Sequence, residues 1–134
     1  MRLYLRIAAI AAALIACVPL HYLWKLFGAR SPWPQIFLGF AAARAGLRVR
    51  IEGQRLYDHV LFVSNHVTWL DILALGGATR SAFVSRDDVE KWPLVGWAAG
   101  PNDTIYVARQ ARREVHGQAD RLRRALAAGR AVAL

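Results

Sequence analysis

The sequence predicts an α/β fold in which a mixed sheet is flanked by helices and preceded by an apolar membrane-anchoring helix. Two observations lead to this fold class. Residues 7–20 form an uncharged apolar run, and after residue 46 short apolar strands alternate with helical segments. Strands separated by helices are typical of sheets that contain parallel pairs, because a parallel pair needs a long crossover connection.

The composition points to a membrane-associated protein with an anionic partner. The 134 residues suffice for one domain with a modest core. Hydrophobic residues make up 56% of the chain, above the roughly 45–50% usual in soluble domains. The net charge of +9 favours lipid head groups, a phosphorylated substrate, an acidic carrier protein or nucleic acid. The single cysteine excludes an internal disulfide and a cysteine-rich zinc site.

The N-terminal segment, residues 1–28, is interpreted as a membrane anchor. As a helix, the uncharged run alone falls short of a hydrocarbon core of roughly 30 Å, but residues 3–27 would span it. Arg6 and Lys25 can reach the head groups from the two ends of this longer segment. Two alternatives stay open, because a secretory signal and a buried core helix have similar compositions.

The remaining residues, 29–134, are predicted to follow a boundary rich in turn formers at residues 28–34. Helices are expected over residues 35–45, from 68 to a stop at Gly76-Gly77, from a start at Asp87-Asp88, and over 110–128. Strands are expected at residues 47–51, where apolar and charged residues alternate, and at the apolar runs 60–63, 82–84, 104–107 and 131–134. The run 60–63 is typical of a strand buried on both faces.

A histidine and an aspartate five residues apart follow the predicted strand at residues 60–63. Ligand sites in open α/β sheets lie beyond the carboxyl ends of strands, which is where His66 falls. Residues five apart in one helix lie about 140° apart, so His66 meets Asp71 only if His66 is in the loop and Thr68 caps the helix. The imidazole could then take a proton from a substrate hydroxyl, with the carboxylate fixing its tautomer.

The same spacing has a purely structural explanation. Thr68 and Asp71 satisfy the spacing of a capping box, with aspartate in place of the usual glutamate or glutamine. In that case Asp71 only starts the helix and His66 is an ordinary loop residue. Ser64 is expected to form hydrogen bonds within the loop rather than to act as a nucleophile. Two ligands are too few for a metal site, so no metal is predicted.

Several ordered motifs resemble those of the glycerolipid acyltransferases, the lysophosphatidate acyltransferase family. Asn65-His66-x-x-x-x-Asp71 resembles the first motif of that family. Phe83–Arg86 and Trp92–Gly96 resemble its next stretch, a strand carrying a basic residue and a helix ending in a Trp-Pro turn. Thr104–Arg109 resembles the second motif, in which an arginine follows an aromatic residue by three places.

The resemblance implies transfer of a fatty acyl group from acyl-CoA or acyl carrier protein to the free hydroxyl of a lysophospholipid such as lysophosphatidic acid, in phospholipid biosynthesis. It makes His66 the general base, Asp71 its orienting partner and Arg109 the contact to the acceptor phosphate, with Asn65 and Thr68 in support. It implies no bound cofactor, membrane phospholipid as a partner and no nucleic acid. It also implies a site on the cytoplasmic face of the inner membrane.

Two departures from the family pattern bear on function. Ala108 stands where the second motif often has aspartate, and the third motif, a Pro-Glu-Gly-Thr turn, should follow the strand that begins at Ala131. The third and fourth motifs are absent, so the chain is expected to be the N-terminal part of an acyltransferase domain. A non-catalytic membrane or lipid-binding module, or an inactive fragment, stays open. A nucleic-acid binder is disfavoured because the aromatics do not interleave with a basic stripe.

Overall fold

The computed structural model describes residues 1–28, 30–65, 68–86, 105–107 and 115–134. Within them the elements follow in the order α1 Arg2–Lys25, α2 Trp33–Ala45, β1 Leu61–Phe62, α3 Trp69–Thr79, β2 Ala82–Arg86, β3 Ile105–Val107, α4 Val115–Ala127 and β4 Val132–Ala133.

The chain forms two compact units. The helical unit comprises Met1–Gly53 with Val67–Arg80, and the sheet unit comprises Gln54–His66 with Ser81–Leu134. The helical unit contains α1, α2 and α3, whereas all four strands and α4 belong to the sheet unit. The predicted division into an anchor, residues 1–28, and a remainder, residues 29–134, stays a prediction.

Helix α1 is long and apolar enough to cross a membrane. Its 24 residues span about 36 Å, more than a hydrocarbon core of roughly 30 Å. Its most apolar stretch is not buried in the protein, which argues against the alternative of a core helix. A secretory signal meets the same criteria of length and composition, so that alternative stays open.

Helix α2 packs against both α1 and α3. It ends, as predicted, at Gly46, whose φ of 95° lies in the left-handed region and whose N–H donates to the carbonyl of Ala43. The contact with α3 is made through glycine backbones. A Cβ atom added to Gly77 would lie 2.6 Å from the Cα of Gly39. The two helices therefore touch at a point where neither has a side chain.

The predicted end of α3 at Gly76-Gly77 is wrong, because the helix continues to Thr79. Glycine is unfavourable inside a helix by about 1 kcal/mol relative to alanine, but here it permits the close approach to α2. The C-cap is Arg80, with a left-handed φ of 54°. Gln35 of α2 secures this end, because its side-chain amide donates to the carbonyl of Gly77 at 3.1 Å and its Oε1 accepts from Nε of Arg80.

The strand predicted at residues 47–51 is also wrong. These residues form no regular structure, and Val49 and Ile51 are exposed rather than aligned on a buried face. Arg50 and Glu52 instead form an exposed ion pair at 2.9 Å. An alternating pattern shows which face a strand would bury, but a strand also needs a neighbouring strand to accept its backbone hydrogen bonds. No described strand pairs with this segment.

The four strands form one sheet in the order β1-β4-β2-β3. Every described pair is parallel, so the expected mixed sheet is not observed in the part of the chain that the structure describes. The α/β class itself agrees with strands separated by helices. Strand β4 is central: Val132 pairs with Leu61 on one side and with Ala82 on the other. Its burial explains why residues 131–133 are small and apolar.

Strand β1 lies at an edge of the sheet, which contradicts the prediction of burial on both faces. Leu61 is exposed, and the next residue on the same face, Val63, is 77% exposed. The segment before β1 is attached to the end of α4 by His59, whose Nδ1 lies 2.9 Å from the carbonyl oxygen of Leu126. Gly129, with φ of 77°, ends α4 as predicted and packs beneath the His59 ring.

The described part of α4 packs on β3 and β4. The sequence predicts an apolar stripe of Val115, Ala119, Leu122 and Leu126 on this helix. Leu122 and Leu126 are half-buried as predicted, whereas Ala119 is exposed and the buried residue is Ala125, which the prediction did not include. The expected start of α4 near residue 110 and the helix expected from Asp87-Asp88 lie outside the described residues.

Replacing Gly77 with alanine is expected to destabilise the helical unit, whereas Gly39→Ala is expected to be tolerated. The new Cβ at position 77 would lie 2.6 Å from Gly39 Cα, which forces the two helices apart, and overpacking of this kind costs about 1–3 kcal/mol. At position 39 the nearest contact is an ordinary 3.6 Å. Denaturant unfolding of both variants in detergent micelles measures the difference, and equal effects would contradict the backbone contact.

Candidate active site

The segment that leaves β1 is held by the backbone of Leu134, the residue that follows β4. Leu134 donates its N–H to the carbonyl of Phe62 at 2.9 Å. The carbonyl of Leu134 then accepts two bonds from Ser64, one from the backbone N–H at 3.2 Å and one from Oγ at 3.3 Å. Ser64 thus has the hydrogen-bonding role predicted for it. Asn65 follows as an exposed residue beyond the carboxyl end of β1.

The start of α3 is organised by Thr68 and Asp71. Thr68 is the N-cap, with extended backbone angles of −135° and 158°, and the two residues form a capping box. The backbone N–H of Thr68 donates to Oδ2 of Asp71 at 2.8 Å, and the backbone N–H of Asp71 donates to the carbonyl of Thr68 at 3.1 Å. The predicted N-cap and the position of Asp71 in the first turn are therefore confirmed.

Of the predicted site residues, the structure brings Thr68 and Asp71 together. Asn65 belongs to the sheet unit, whereas Asp71 belongs to the helical unit. His66 and Arg109 lie outside the described residues. The pairing of His66 with Asp71 and the contact of Arg109 with a phosphate therefore stay predictions.

The capping bond is compatible with a second role for Asp71. A carboxylate has two oxygens and about four lone-pair positions, so it can accept more hydrogen bonds than the one from the Thr68 N–H. Asp71 is half-buried in the first turn of α3, where the helix dipole favours a negative charge. An ionised carboxylate at this position can both start the helix and stabilise a nearby imidazolium.

Trp69 was not among the residues that the sequence singled out. It is the first residue of α3, between the two capping residues, and it is 68% exposed. The signal in the sequence was a large aromatic residue between Thr68 and Asp71, the two polar residues that begin an otherwise apolar helix.

Comparison with known proteins identifies the family. The Acyltransferase family profile matches residues 48–134, which include all the site residues predicted above. The chain belongs to the Acyltransferase family.

Curated relatives match most of the chain. It is 34% identical to the lyso-ornithine lipid O-acyltransferase of Rhodobacter capsulatus, over 91% of the chain and 49% of the relative. It is 31% identical to the enzyme of the same name from Brucella abortus, over 99% of the chain and 51% of the relative. It is also 32% identical to the 1-acyl-sn-glycerol-3-phosphate acyltransferase of Neisseria gonorrhoeae, over 56% of the chain and 29% of the relative.

The chain spans about half the length of the first two of these relatives. No solved structure matches it significantly. The apolar helix α1 and the lipid acyltransferases among the relatives together indicate membrane association.

Replacing Asp71 with alanine or with asparagine is expected to separate the capping role from the role of the charge. Asp71→Ala removes the acceptor for the Thr68 N–H and should lower the free energy of unfolding by about 1 kcal/mol, a typical net value for a hydrogen bond. Asp71→Asn keeps a side-chain oxygen and should lower it by less. Denaturant unfolding of the two variants measures the difference, and a larger loss for asparagine than for alanine would contradict the capping bond.

Proposed function

We propose that this protein transfers a fatty acyl group from an acyl thioester to the free hydroxyl of a lyso-lipid at a membrane surface. The observation that carries the proposal is the order Asn65-His66-x-x-x-x-Asp71 between β1 and the first turn of α3, inside the family match. The placement of Asp71 supports it, because the carboxylate lies at the helix start where the sequence required it.

In the proposed mechanism, the reaction is base-assisted acyl transfer. The imidazole of His66 accepts the proton of the acceptor hydroxyl while that oxygen attacks the thioester carbonyl. The tetrahedral intermediate collapses, the C–S bond breaks, and the departing thiolate takes the proton from the imidazolium. The products are the new ester and a free thiol. Asp71 stabilises the imidazolium formed during attack, as carboxylates do in catalytic triads.

The thioester donor in this proposal is acyl-CoA or an acylated carrier protein, and no other cofactor is needed. Both donors are soluble and anionic. We propose that the site lies on the cytoplasmic face of the inner membrane, where such donors are available. Helix α1, which is long and apolar enough to cross a membrane, supports a membrane location. The rival function, a membrane or lipid-binding module without turnover, predicts vesicle binding but no product.

For the acceptor, we propose a lyso-ornithine lipid ahead of lysophosphatidate. The relatives whose names include lyso-ornithine lipid match up to 99% of the chain, whereas the 1-acyl-sn-glycerol-3-phosphate acyltransferases match 56% of it. Ala108, where the lysophosphatidate motif often has aspartate, agrees with a different head group. Arg109 suits either acceptor, because a guanidinium binds a carboxylate and a phosphate in the same two-pronged geometry.

Replacing His66 with alanine is expected to reduce turnover by at least about a hundredfold, the range that general-base catalysis contributes. The assay follows labelled acyl groups from acyl-CoA or acyl carrier protein into lyso-lipid in vesicles that contain the full chain. Turnover by the unmodified chain excludes the non-catalytic module.

His59→Gln serves as the matched control for the His66 variant. His59 is an exposed histidine seven residues upstream, and glutamine can keep a hydrogen bond to the Leu126 carbonyl. This variant should retain turnover. If His66→Ala remains as active as His59→Gln, His66 is not the base.

When turnover is measured with a panel of acceptors, we expect a higher kcat/KM for lyso-ornithine lipid than for lysophosphatidate. A preference for lysophosphatidate would reverse the proposed acceptor.

Arg109→Ala should raise KM for the acceptor about tenfold or more, because charge-assisted bonds are worth roughly 1.5–3 kcal/mol. Arg123→Ala is the control, since the Arg123 side chain is 84% exposed on α4. Equal KM values for the two arginine variants would show that Arg109 does not contact the acceptor.

A further inference from the structure

We infer that Trp69 is a bilayer-contact residue, whose indole docks the first turn of α3 on the head-group region of an anionic membrane. The inference extends the proposed function, because it assigns a membrane contact to the turn that carries Asp71. It can nevertheless be tested without any turnover.

The exposure of Trp69 is the first observation. The indole is 68% exposed, whereas Leu70, Asp71 and Ile72, the next three residues of the helix, are half-buried. Tryptophan combines a large apolar ring with one polar N–H, so it is the side chain best suited to the boundary between hydrocarbon and water. An exposed tryptophan at a helix start is thus available to a lipid surface.

The second observation is the composition of the unit to which Trp69 belongs. The helical unit contains α1, the helix that is long and apolar enough to enter a bilayer. Helix α2 packs against both α1 and α3 and also exposes an apolar side chain, Ile36. Trp69 therefore lies in the same compact body as the membrane-seeking helix.

The charge of the helical unit is the third observation. Its residues, Met1–Gly53 and Val67–Arg80, contain eight arginines and lysines but only two acids, Glu52 and Asp71, a net charge of +6. The unit thus carries most of the +9 of the chain. A basic unit with exposed apolar side chains fits an anionic bilayer, which offers both negative head groups and hydrocarbon. An acidic protein would satisfy the charge but not the exposed aromatic and aliphatic groups.

An indole held at head-group depth would place Asp71, two residues further along the same turn, near the level of lyso-lipid head groups. Trp69 would then act as a positioning residue, since it sets the depth of the turn rather than touching the reacting atoms. Its contribution should appear only when the acceptor is presented in a bilayer.

The direct test places an environment-sensitive nitrobenzoxadiazole label at position 69. Trp69→Cys in a Cys17→Ala background gives a single labelling site in the full chain. The matched control is Leu56→Cys in the same background, a position in the sheet unit that is 49% exposed. Each protein is mixed with phosphatidylethanolamine–phosphatidylglycerol vesicles, with and without lipids that carry a nitroxide quencher.

The expected result is a blue shift and quenching of the label at position 69, with neither change at position 56. If the emission wavelength of the label at position 69 stays at its value in water when vesicles are added, the inference is overturned. Because α1 can hold the protein on vesicles in every variant, the label reports the depth of this turn and not merely binding of the chain.

A kinetic test compares Trp69→Ser and Trp69→Phe on two forms of acceptor, one in vesicles and one a water-soluble short-chain analogue. The ratio of the vesicle rate to the soluble rate should fall about tenfold for serine, as expected from the loss of one buried apolar side chain, and much less for phenylalanine. An unchanged ratio overturns the inference, and if both rates also fall by the same factor, Trp69 belongs to the acceptor pocket instead. A protein without turnover would refute the proposed function, while the label would still decide the membrane contact.

Discussion

The backbone hydrogen bonds of β4 hold the sheet unit together. Strands β1 and β2 do not pair with each other among the described residues, and each is joined to the sheet through Val132 and its neighbours. Val132 has no exposed surface, so its peptide groups must be paired, because a buried N–H or carbonyl without a partner is costly. The loop towards the candidate site depends on the residue that follows this strand, since Ser64 is bound to the carbonyl of Leu134.

One part of the candidate site, the capped first turn of α3, can be predicted from the local sequence. The other predicted roles depend on residues from a second part of the chain. The spacing of Thr68 and Asp71 was sufficient to predict the capped first turn of α3, because both hydrogen bonds join residues three apart. The same bonds are the reason why the spacing alone left a structural explanation open. The order of the motifs along the chain, rather than any one spacing, pointed to acyl transfer, and the family match agrees with it.

Two errors in the predicted fold, the end of α3 and the strand at residues 47–51, concern contacts between distant parts of the chain. The helix end at Gly46 and the turn at Gly129 were predictable, because a left-handed residue at a helix end is a local property. The continuation of α3 through Gly77 was not, since it depends on Gly39 and Gln35 of another helix. The strand predicted at residues 47–51 does not form. Its alternating pattern is a local property, but a strand also needs a neighbouring strand, and no strand of the described sheet pairs with this segment.

The contact of Gly39 with Gly77 also limits where a hydrocarbon tail can pass. Two helices whose backbones touch leave no space between them at that level for an acyl chain, which is about as wide as a leucine side chain. A lipid tail approaching the helical unit from the bilayer is therefore excluded from the seam between α2 and α3 at these two glycines. In the proposed reaction, the tail of a lipid substrate would therefore have to follow another surface of the protein. Larger residues at this seam would separate the two helices without opening such a route.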